Sequence, residues 1–79
     1  MTEQQIQTRK IKELEAEGYY VIKLVKTNKN GIPDLVAIPR DSDVKFFEVK
    51  TQIGKVSPLQ DYRHKELKDH GIYVEVYRG

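Results

Sequence analysis

The amino-acid sequence predicts a mixed α/β fold of order αβββαβ, with a mixed four-stranded sheet flanked by helices, in 79 residues. Three observations predict it. Two segments carry helix formers between a capping residue and a stop glycine. Four short segments are rich in β-branched and aromatic residues. No repeat, low-complexity tract or linker-like stretch separates them, and the length allows one domain, residues 1–79.

The first helix is expected from about Thr2 to Glu17, with Thr2 as its cap and Gly18 as its stop. Its apolar stripe is thin, chiefly Ile6, Ile11, Leu14 and Ala16, which suits one shallow contact or a second contact from another subunit. Tyr19 to Val25 reads as a strand, and Thr27 to Gly31 as a loop by its turn chemistry. A short strand follows, with Asp34 at its start and Leu35-Val36-Ala37-Ile38 as its body. Pro39 to Asp43 turns the chain into a further strand, Val44 to Lys50.

Thr51 to Val56 is a mostly polar connection. Ser57-Pro58-Leu59-Gln60 then announces the second helix. Ser57 caps it, Pro58 suits the first helical position, and Gln60 stands where a capping box wants it. This helix is expected to run to about His70, where Gly71 stops it, and Ile72 to Tyr77 reads as the last strand.

Composition narrows the class. A chain this short buries only about 60% of the surface its unfolded form exposes, so its stability is marginal without help. It has no cysteine, hence no disulfide and no thiolate metal site. An oxygen-ligated metal or burial against a second copy remains as support. No apolar run approaches the roughly 20 residues that cross a bilayer. The polar start, Met1-Thr2-Glu3-Gln4-Gln5, lacks a signal peptide's apolar centre. An intracellular, cytoplasmic protein with no membrane partner is therefore expected. The net charge of +2 alone does not mark a nucleic-acid binder. Between Tyr19 and Pro33, however, Lys23, Lys26 and Lys29 meet no acid. Such a stretch tracks phosphates, or simply guards a solvated sheet edge.

The chemistry concentrates in Gly31-Ile32-Pro33-Asp34 and Phe47-Glu48-Val49-Lys50. Residues two apart on a strand share a face, so Glu48 and Lys50 leave together. If Pro39 to Asp43 closes a simple hairpin, Ile38 lies opposite Val44 and Asp34 opposite Glu48 on that same face. A slip of one position would send Asp34 to the other side. Two carboxylates this close repel, and one keeps its proton unless a cation lies between them. Mg²⁺, or Mn²⁺, is the natural occupant, with the Val49 carbonyl as a third protein ligand. Lys50 beside such an ion would hold or deprotonate an attacking water, or steady charge on a phosphate. The sum is hydrolysis of a phosphodiester.

These two motifs, with the following Ser57-Pro58-Leu59-Gln60, resemble the signature of the PD-(D/E)XK nuclease superfamily and its small VRR-NUC branch, the virus-type replication-repair nucleases. The resemblance implies a restriction-endonuclease-like core and a metal-dependent DNA endonuclease. It implies that Asp34 and Glu48 bind metal and that Lys50 serves the catalytic water. Glu3 matches an acid that the family places on the first helix as an additional metal or water ligand, and Gln60 a polar residue near the site. DNA is the implied partner, with stand-alone members often homodimeric and some directed at branched or Holliday-junction DNA. Two rivals remain open: a non-catalytic nucleic-acid-binding module of the same fold, and a small interaction domain whose acids are incidental.

The other polar and aromatic residues read more plainly. Glu3 also suits the first turn of a helix through the dipole alone, and Gln60 has its capping role. His64 and His70 do not share a helix face as a metal pair would, so solvated surface or a helix-end charge is expected for both. Tyr19, Tyr20, Tyr62, Tyr73 and Tyr77 are expected to fill core or interface positions rather than stack on bases. The apolar neighbours Phe46, Phe47 and Val49 predict a central strand, where an unpaired carboxylate is costly.

Overall fold

The computed structural model describes every residue, Met1–Gly79. Its elements are α1 (Glu3–Ala16), β1 (Tyr20–Lys23), β2 (Leu35–Ile38), β3 (Lys45–Lys50), α2 (Pro58–Asp69) and β4 (Val74–Arg78). The strands form one sheet in the order β1-β2-β3-β4. β1 with β2 and β2 with β3 are antiparallel, whereas β3 with β4 is parallel, with α2 as the crossover. The expected αβββαβ order and mixed sheet are what the chain adopts.

Both helices begin with a complete capping box. Thr2 accepts from the Gln5 amide while the Gln5 side chain accepts from the Thr2 amide, and Ser57 and Gln60 do the same for α2. Both also end alike. Gly18 and Gly71 take left-handed backbone angles (φ 96° and 83°), and the amide after each glycine returns to the helix: Tyr19 to the Leu14 carbonyl, Ile72 to that of Leu67. These caps correct two expected boundaries. Tyr19 and Ile72 finish helices instead of starting strands, so β1 begins at Tyr20 and β4 at Val74. At its other end β1 stops at Lys23, short of the expected Val25, because its partner β2 gives way to Pro33, which has no amide hydrogen to offer.

Alternation along the strands sorts the side chains by face. Leu35 and Ala37 of β2 and Phe47 and Val49 of β3 point at α1, where Ile6 and Leu14 close the core. Ile11, Tyr19, Val21 and Tyr77 pack around its edge. Lys10 lays its stem on this face too, its ammonium 4.3 Å from the Tyr77 ring centre and 5.3 Å from that of Phe47. Ala16, expected in the stripe, is exposed, since it lies round the helix from Leu14.

The opposite face is served by α2, whose backbone comes close only to β4. Tyr20, on that face of β1, is consequently 71% exposed, and Tyr62 and Tyr73 are exposed as well. Of the five tyrosines, expected at core or interface positions, Tyr19 and Tyr77 line the core. No helix is long and apolar enough to cross a membrane.

Candidate active site

The β2–β3 register sets the site. Leu35 lies opposite Phe47 and Val36 opposite Phe46, as the hairpin predicted, and this brings the Asp34 and Glu48 carboxyls within hydrogen-bonding reach. Asp34 is fixed from three sides. Its amide donates to the Phe47 carbonyl (3.0 Å), and its carbonyl accepts from Leu24 (2.8 Å). Its side-chain Oδ2 accepts from the Val49 amide at 2.8 Å. Pro33 before it is fully buried, and Gly31 lets the loop pass against α2: a Cβ there would stand 2.8 Å from Leu59 Cγ.

Glu48 is 1% exposed and Lys50 7% exposed, uncommon burial for charged side chains. Their charged ends are 3.9 Å apart, from Nζ to Oε2. Burial pushes the Glu48 carboxyl up to about 8. The hydrogen bond to Asp34, the Asp34 charge and the more distant Glu3 charge push the same way, and only Lys50 opposes them. One cation is therefore too few for the negative charge gathered here.

Helix α2 supplies the cover. Gln60 Nε2 donates to Glu48 Oε2 at 3.2 Å, while the Oε1 of the same amide completes the capping box. Gln60 thus both completes the cap and stands beside Glu48. His64, one turn further, brings Nε2 to 3.3 Å from Glu48 Oε1, with its side chain 15% exposed. Burial lowers its basicity below the usual histidine value. This corrects the expectation of a solvated His64. The legible signal was its spacing from Gln60, which puts both on one helix face, rather than its spacing from His70. His70 does sit in solvent at the helix end, its Nδ1 2.8 Å from the Glu66 carbonyl.

Glu3 reaches the rim rather than the centre. Its Oε2 would be 3.2 Å from a Cβ placed on Gly54, in the turn that follows Lys50. That turn is held by Arg78, whose Nη1 donates to the Thr51 carbonyl at 3.0 Å and also to the Gly54 carbonyl.

No three His, Cys, Asp or Glu side chains converge as a ready-made metal cage. The donor set is two carboxylates, one of them driven towards its protonated form by burial and then by the other. That chemistry fits a hard divalent ion such as Mg²⁺, which binds through one or two carboxylates and keeps several waters for exchange with phosphate oxygens. The larger clefts lie elsewhere. One of about 390 Å³ touches Lys45, at the far end of β3 from Lys50. Asp34 and Glu48 line none of these clefts, and Glu48 itself is almost fully buried.

Comparison with known proteins agrees with this fold. The profile described as the VRR-NUC domain matches residues 1–79. A solved structure titled "VRR_NUC domain" is similar at a TM-score of 0.85 and 31% identity, covering 100% of this chain and 86% of that one. Among curated proteins there is no match.

Proposed function

The chain belongs to the VRR-NUC domain family, whose fold is of nuclease type, and on that premise we propose that it is a divalent-metal-dependent DNA endonuclease. The observation that carries the reading is the buried Glu48, set between Asp34 and Lys50 and short of positive charge. Asp34 and Glu48 would hold Mg²⁺ or Mn²⁺, with the Val49 carbonyl as a third protein ligand and Glu3 at the rim. Bound there, the cation would acidify a water and polarise a phosphoryl oxygen. Lys50 directs its ammonium at the same point, where it orients the attacking water and offsets charge on the phosphate oxygens. Gln60 keeps Glu48 aimed at the ion.

On this reading the substrate is DNA, as a duplex or a branched junction. Uncovered Tyr20 and Ile22 on the α2-side sheet face support a homodimer, in which a second copy covers what α2 leaves bare.

Lys50→Ala and Asp34→Ala should each abolish cleavage of linear and branched DNA in Mg²⁺ or Mn²⁺, with an unchanged circular dichroism spectrum. Undiminished cutting by either folded variant overturns the mechanism. Salt-sensitive DNA binding by the unaltered protein, without cleavage in either ion, would favour the non-catalytic binding module instead.

A further inference from the structure

We propose that His64 is a positioning residue, which together with Gln60 fixes the Glu48 carboxylate in the orientation that receives the divalent cation. The proposal rests on Glu48 being a cation ligand and adds a function for a side chain outside the Asp34, Glu48 and Lys50 set.

The argument is geometric. A glutamate's terminal torsion is soft, with a broad twofold profile, so one hydrogen bond leaves the carboxylate free to swivel. Here α2 grips both oxygens separately: Gln60 Nε2 takes Oε2 at 3.2 Å, and His64 Nε2 faces Oε1 at 3.3 Å. Lys50 approaches Oε2, the oxygen already engaged by Gln60, so it does not restrain Oε1. On α2, His64 provides that second point.

Two features keep the grip in register. Gln60 and His64 stand one turn apart on α2, and the capping box with Ser57 fixes the turn from which both project. The His64 side chain is mostly buried, so its ring cannot leave Glu48 for solvent without opening the α2 side of the sheet. With the ring proton on Nε2, His64 donates to the ionised carboxylate. Each carboxylate oxygen has two lone-pair directions, so Oε1 can accept that bond and still face an ion. Hydrogen-bond partners behind a metal ligand typically account for about 10–100-fold in metal affinity.

The test is calorimetric titration of Mn²⁺ alone, without DNA, into the unaltered protein, His64→Leu and His64→Gln. Folding is checked by circular dichroism. His64→Leu should bind Mn²⁺ at least about tenfold more weakly. The Mg²⁺ concentration that half-saturates cleavage should rise by a similar factor, while the rate at saturating Mg²⁺ largely recovers. His64→Gln should restore binding, because the glutamine amide nitrogen reaches about as far from the backbone as histidine Nε2. Equal affinity in folded His64→Leu, or no rescue by His64→Gln, overturns the proposal. If His64→Leu fails to fold, His64→Gln is compared with the shorter His64→Asn, and equal Mn²⁺ binding by those two overturns it. Asp34→Ala separates the two levels. Mn²⁺ binding lost there but intact in His64→Leu sinks the positioning role alone, whereas no binding by the unaltered protein sinks the cation reading with it.

Discussion

Strand β3 presents Phe47 and Val49 to α1, and Glu48 and Lys50 to the side covered by α2, and all four side chains are buried. The two faces reach similar burial by different physics. On the α1 side, mainly apolar surface leaves water. On the α2 side, a carboxylate and an ammonium lose hydration, and hydrogen bonds with one ion pair offset only part of that cost. The first face holds the domain together. The second stores a charge imbalance that a bound cation would relieve, and a period of two lets one six-residue strand carry both.

The contrast breaks most visibly by removing the apolar side. Phe47→Ala should cost about 3–5 kcal/mol in urea unfolding, a large share of a small domain's total stability. A loss below about 1 kcal/mol, the scale of a surface substitution, would show that the α1 face is not the stabilising one.

Glu48→Gln sharpens the contrast from the other side. The folded protein holds the Glu48 proton up to about pH 8, whereas an unfolded carboxylate releases it near the model value of 4.5. Without divalent ions, this group's contribution is therefore greatest below about pH 4.5 and is lost as pH rises through about 8. Glu48→Gln should unfold at higher temperature than the unaltered protein at about pH 8, and the difference should shrink towards about pH 5. Added Mg²⁺ should raise the melting temperature of the unaltered chain but not that of the variant. Parallel melting curves across that range would remove the charge imbalance from the account.

The smallest effect is expected from Ser57→Ala, which deletes one half of the α2 cap and should cost about 1 kcal/mol in thermal unfolding. If both faces of β3 were alike in kind, metal affinity would be untouched. A fall in Mn²⁺ affinity larger than that seen for Thr2→Ala, the equivalent change on α1, would tie the cap to the charged face.

Much of this was legible in the sequence. The hairpin register followed from one turn, Pro39 to Asp43, and a buried face that forbids slippage, so Asp34 and Glu48 met as expected. The four residues Ser57 to Gln60 announced α2 correctly. Local chemistry misled where two uses competed for one residue. Tyr19 and Ile72 have strand-forming side chains, yet their amides complete helix caps. His64 was obscured for another reason: its partner Glu48 lies on a different element, and helical spacing shows only which residues share a face. Tyr20 shows a further gap, because the α2 backbone lies over β4 and leaves β1 bare, and that placement is a property of the assembled sheet.

The side-chain amide of Gln60 has one end in the α2 cap and the other on Glu48. Winding of that first helical turn and alignment of the carboxylate are thereby a single cooperative event. A fluctuation that frays the turn simultaneously frees Glu48 Oε2, so the alignment of that buried carboxylate depends on a fully wound start to α2.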